Sequence, residues 1–101
     1  MDEKRVHELE AGMRLLANYA QRVARERGQV SVETRWNYRG ALRDGPAQLI
    51  LTVKSDGHSQ DAAFPREAIE DYPGAIGVAR TQAVVDVCLQ RLMAAVPRER
   101  R

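Results

Sequence analysis

The residues that could do chemistry in this chain are few and scattered. His7 lies among Glu3, Glu8 and Glu10, and His58 follows an Asp-Gly pair. An imidazole beside carboxylates is the raw material of proton transfer or metal binding. A metal centre, however, needs three or four convergent ligands, each oriented by a further hydrogen bond, and these positions supply no such set. Asp61, Glu67, Glu70 and Asp71 crowd one stretch. Paired carboxylates serve as acid and base when their surroundings push their pKa values apart. Here they fall on a surface turn and a short helix, where a solvated face is the plainer reading. Cys88 sits on the apolar side of a helical pattern with no histidine placed to activate it, and reads as a small buried hydrophobe. Gly74-Ala75-Ile76-Gly77 precedes a helix but lacks the Gly-Lys-Ser/Thr ending and the βαβ setting of a phosphate loop. No catalytic constellation, cofactor motif or metal site is expected, and no small-molecule substrate is indicated.

The elements that carry these residues are far more legible. Asp56-Gly57 separates two extended runs, 48–55 and 58–64. A two-residue type I′ turn needs positive φ at both central positions, which Asp-Gly tolerates. The resulting register sets Ser55 against His58, Val53 against Gln60, Leu51 against Ala62 and Leu49 against Phe64. Side chains alternate along a strand, so Leu49, Leu51, Val53, Ala62 and Phe64 share a core face. Gln48, Thr52, Lys54, Ser59 and Asp61 share the other. Ile50 and Ala63 oppose each other on that polar face and break its pattern, as an exposed apolar pair or a contact with a partner.

Residues 3–27 predict a helix: Val6, Leu9, Met13, Leu16, Ala20 and Val23 follow a 3-4-3-4-3 spacing. At 1.5 Å per residue it would be about 37 Å long, more than a modest sheet can cover, so its first turns are expected to overhang. The plainer reading of the stripe is packing on the sheet and the last helix; the alternative is that its overhanging end pairs with another copy. In residues 30–38, Val30, Val32, Thr34, Trp36 and Tyr38 alternate with polar residues, as in a half-buried strand. Residues 39–46 form a turn-rich connection. Pro65 at a first helical position opens a short helix that Pro73-Gly74 ends. Residues 75–96 form the last helix, with Val78, Val84, Val85, Cys88, Leu89, Leu92, Met93 and Val96 as its apolar surface and Gln82, Asp86 and Gln90 as a polar stripe.

The expected fold is therefore α+β, with the order α-β-β-β-α and a short extra helix before the last. A three-stranded antiparallel sheet would carry both long helices on one face. Residues 1–97 are expected to form a single domain and 98–101 a basic, disordered tail. The 101 residues are 44% hydrophobic and 30% charged, as in soluble globular proteins. A single cysteine excludes an internal disulfide framework. The start Met1-Asp2-Glu3-Lys4-Arg5 has no apolar segment behind it, and no run approaches the roughly 20 residues that span a bilayer. Cytoplasm is the default location, with no membrane partner.

Fourteen of the 16 basic residues are arginine, yet the net charge is only +2. Alanine is equally abundant, so a GC-rich coding bias is a plainer account of the arginines than phosphate recognition, and no cluster is dense enough to overturn it. The order α-β-β-β-α across residues 9–96 nevertheless resembles the double-stranded RNA-binding domain. That resemblance implies RNA contacts from Asn18, Gln21, Arg22 and Arg25 on the first helix, from Arg39 and Arg43 in the first connection, and from Arg80 on the last helix. Two departures stand against it. The lysine cluster that opens the family's last helix is replaced by Ile76-Gly77-Val78-Ala79-Arg80-Thr81, and residues 66–74 are an insertion foreign to it. The whole chain, especially residues 45–74, otherwise looks like one of the small uncharacterised domain families of Gram-negative bacteria, which implies no activity. The leading expectation is a non-enzymatic module acting by protein–protein interaction or self-association, with Ile50 and Ala63 as candidate interface. Double-stranded RNA binding is the alternative.

Overall fold

The computed structural model describes residues 3–28, 31–37 and 47–95. Helix α1 spans Glu3–Gly28, strand β1 Glu33–Trp36, β2 Gln48–Ser55 and β3 His58–Pro65. Helix α2 covers Arg66–Asp71, a 3₁₀ turn Tyr72–Gly74, and helix α3 Val78–Ala95. The sheet is antiparallel with the order β1-β2-β3. This is the expected α+β arrangement, with α1 and α3 side by side on one face. The expected ends at 30, 38 and 96, the connection 39–46 and the tail 98–101 lie outside the described residues.

The hairpin forms because the turn chemistry and the apolar pattern agree. Asp56 and Gly57 take φ of 56° and 82°, the pair of positive values a type I′ turn requires. Ser55 pairs with His58, Val53 with Gln60, Leu51 with Ala62 and Leu49 with Phe64. Leu49, Leu51, Val53, Ala62 and Phe64 are all buried. On β1, Thr34 faces Val53 and Trp36 faces Leu51. Trp36 stacks at a tilt on Phe64, with ring centroids 6.0 Å apart, and its Nε1–H donates to the Met13 carbonyl at 3.1 Å. That bond satisfies the indole and fixes α1 over β1.

Three expectations are corrected. The start of α1 is not left free for another copy: Arg5 bonds Glu70 of α2, Leu9 is fully buried, and Gly12 lies so close to α2 that a Cβ there would stand 2.1 Å from the Ile69 carbonyl oxygen. The residues 66–74 that looked like an insertion are what cover it. Glu70 is not on a solvated face. It is 8% exposed, accepting from Arg5 of α1 at 2.6 Å and from Arg66 at 3.0 Å. A carboxylate taken from water must be paired, and the two guanidinium groups do that. Finally, the last helix begins at Val78 rather than Ala75. Ala75, at φ 65°, caps the preceding 3₁₀ turn by donating to the Tyr72 carbonyl, and Gly77 follows at φ 68°. Pro73 sits inside that turn, where its missing N–H costs no helical bond.

Candidate functional site

The scattered titratable groups remain apart once folded. Among the described residues, no three His, Cys, Asp or Glu side chains converge into a set that could hold a metal ion. His7 is exposed on α1 and His58 half-buried at the hairpin turn. Cys88 is buried, and burial pushes its thiol up to about 11, with Asp61 raising it further and Arg91 opposing. A thiol held protonated at neutral pH is a poor nucleophile.

Of the polar stripe of α3, Gln90 is exposed, while Gln82 and Asp86 are half-buried and bonded to the 3₁₀ turn and to α1. Tyr19 donates its hydroxyl to Asp86 at 2.8 Å, Arg27 stands 4.0 Å from the same carboxylate, and Gln82 donates to the Tyr72 hydroxyl at 2.9 Å. Burial, then the Asp86 bond, raises the Tyr19 phenol to about 12. Arg22 lies over the Tyr19 ring at 5.6 Å. The recess along this seam has a volume of about 450 Å³. Its tyrosine hydroxyls are both engaged, Tyr19 with Asp86 and Tyr72 with Gln82, so the recess ties α3 to α1 and to the 3₁₀ turn.

The arginines divide between two places. Arg22 and Arg25 are exposed and, with Asn18, share the outer side of α1 by their 4-3 spacing. Arg80 stands elsewhere: Gln82 faces the α1 seam, and two helical residues differ in direction by about 200°. Arg80 therefore lies on the opposite flank of α3, above the edge of β3. Arg39 and Arg43 lie outside the described residues.

That flank carries an open groove. Arg80, Val84, Val87 and Arg91 recur at 4-3-4 spacing and, with Ala83 and Cys88, form one wall of a groove of about 510 Å³; residues 61–63 of β3 form the other. Val87 is 45% exposed. Neither Arg80 nor Arg91 has an ion-pair partner among the described residues. Beneath the groove runs the outer edge of β3, which among the described residues pairs only with β2. Ala63 lies on this rim, while its cross-strand partner Ile50 is half-buried, with its N–H donating to Asn37 Oδ1 at 2.9 Å and its carbonyl accepting from Asn37 N–H at 3.0 Å. Sequence reading paired Ile50 with Ala63 but missed Val87, the valine left out of the α3 stripe, which was the available signal. Among the described residues no helix is long and apolar enough to cross a membrane. Compared with known protein families, curated proteins and solved structures, the chain has no match.

Proposed function

We propose that this protein is a non-enzymatic cytoplasmic module that binds another polypeptide at the edge of β3. The observation that carries this reading is the coincidence of a free strand edge with an apolar groove. An unpaired edge is a template for a further strand, and proteins that do not use such edges blunt or cover them. Strand addition draws affinity from main-chain hydrogen bonds and specificity from pockets for alternate side chains. The row of Ala83, Val84 and Val87 beside the edge is such a pocket.

Peptides selected from a random displayed library on the purified chain test the reading. Selected binders should lose affinity on Ala63→Pro, which removes an outward N–H of an edge strand without touching the β2 ladder, and on Val87→Asp. Binders insensitive to both changes, or no enrichment, would overturn it.

Double-stranded RNA binding is a second reading, favoured by the outward row Asn18, Arg22 and Arg25 in a fold of the same element order. It requires duplex affinity that falls steeply with salt through counterion release and collapses on Arg22→Gln/Arg25→Gln. The opposite placement of Arg80 weighs against it.

A further inference from the structure

The backbone parity of the sheet determines which groups of β3 are free. Arg66 N–H donates to the Ala47 carbonyl at 2.8 Å, continuing the ladder in which residues 49, 51, 53 and 55 bond to 64, 62, 60 and 58. Ile50 bonds instead toward β1, through Asn37. Hydrogen-bonded and non-bonded pairs alternate in an antiparallel ladder. Ser59, Asp61 and Ala63 therefore direct their N–H and C=O groups away from β2, and Pro65, without an N–H, closes the edge. A strand laid there would sit about 4.8 Å beyond β3, with every second side chain turned toward α3.

What those side chains meet is specified at three points. Arg80 and Arg91 are 11 residues apart on α3, about 16 Å along the helix, and the apolar row lies between them. Positions i to i+4 of a strand span about 13 Å, a mismatch that two long arginine side chains can bridge. Resting on the polypeptide-binding reading above, we propose that the occupant is an extended acidic segment of a partner protein. It adds to β3 as a fourth strand, with acidic side chains at i and i+4 on Arg80 and Arg91 and an apolar side chain at i+2 on Val84 and Val87. A second copy of this chain fits less well. A two-fold contact brings identical surfaces together, four arginines in all that have no ion-pair partner among the described residues. The groove's own acid, Asp61, already accepts the Thr52 hydroxyl at 2.7 Å.

The test uses the full ¹⁵N-labelled chain and capped peptides of sequence Thr-Glu-Thr-Val-Thr-Glu-Thr and Thr-Lys-Thr-Val-Thr-Lys-Thr. The acidic peptide should shift the amide signals of Ser59, Asp61 and Ala63 with a Kd of about 0.1–1 mM, and the lysine peptide should bind at least ~10-fold more weakly. Arg80→Glu/Arg91→Glu, at two exposed positions, should reverse that preference while leaving the remaining spectrum in place. Equal binding of both peptides at these amides would overturn the acidic occupant but leave the polypeptide-binding reading standing. No shift at about 2 mM together with a concentration-dependent mass abolished by Val87→Asp would assign the edge to a second copy, overturning the proposal. Shifts of the same amides by duplex RNA but not by peptide would overturn both readings.

Discussion

Gly12 provides the sharpest test of the packing, because the ordinary rule and the structure predict opposite signs. Alanine in a helix interior is favoured over glycine by about 1 kcal/mol, so Gly12→Ala on an isolated α1 would be stabilising. In the folded protein the new Cβ would stand 2.1 Å from the Ile69 carbonyl oxygen, 2.8 Å from Ile69 Cγ2 and 3.0 Å from the carbonyl carbon, where ordinary contact begins at 3.4 Å. Separation by more than an ångström is needed, and the obstacle is backbone. α2 cannot easily retreat, since Glu70 ties it to Arg5 and Ile69 is fully buried. Overpacking costs about 1–3 kcal/mol where side chains can adjust, and a rigid carbonyl places this case at the upper end. Subtracting the propensity gain leaves a net loss of about 2 kcal/mol. For a domain of this size that lowers Tm by roughly 8–16 °C. Thermal unfolding followed by far-ultraviolet circular dichroism measures it, with Gly74→Ala, which meets nothing within 4 Å, as the neutral control. A Tm for Gly12→Ala at or above that of the unaltered protein would refute the close crossing of α1 and α2.

Glu70→Gln should destabilise by about 1–3 kcal/mol in urea unfolding, since it removes the charge that Arg66 and Arg5 share, although Arg5 retains Glu8 and access to water. Leu51→Ala should cost roughly 2–5 kcal/mol and Ile50→Ala clearly less, because Leu51 is fully buried and Ile50 lies on the outer face; equal losses would mean that the outer face is covered. Raising the pH should also weaken the fold. Cys88 and Tyr19 hold their protons more tightly folded, to about 11 and about 12, than at their ordinary 9.0 and 10.0. The unfolded chain deprotonates first, so this stabilisation is whole below pH 9, falls as pH rises through the folded values and is gone above them. Tyr19→Phe should flatten the upper part of the fall, from pH 10 to 12, in pH-dependent unfolding.

The hairpin was legible because its evidence is local: Asp56-Gly57 dictates the turn, and alternation dictates the face, within one run of 17 residues. Helix α1 was legible by its period, but its partner was not. Burial of Glu70 depends on Arg5, 65 residues away, and no periodicity reports such a meeting. Gly12 did carry a signal, since a glycine at mid-helix implies close approach, but nothing indicated what approached. The onset of α3 was misplaced because Ala75 has good helix propensity, whereas the cap of the 3₁₀ turn holds it at positive φ. The groove was missed for a different reason. Which edge of a sheet is free depends on strand order, and which valine lines it depends on the rotation of α3; both are properties of the assembled layers.

The same long-range seams order events during synthesis. The β2–β3 pair closes through a two-residue loop, so it can form as soon as both strands exist, whereas α1 waits for its partners. Tyr19 meets Asp86 across 67 residues and Arg5 meets Glu70 across 65. At 5–20 residues per second, a ribosome takes about 3–12 s to travel from the end of α1 to the residues that cover it. Throughout that interval the stripe of Leu9, Leu16, Ala20 and Val23 lacks the cover that α2 and α3 complete. The nascent chain then carries an amphipathic helix whose apolar stripe is incompletely covered. Loosening the α1–α2 crossing would prolong that exposure, so Gly12→Ala should reduce soluble yield in cells out of proportion to its loss of Tm.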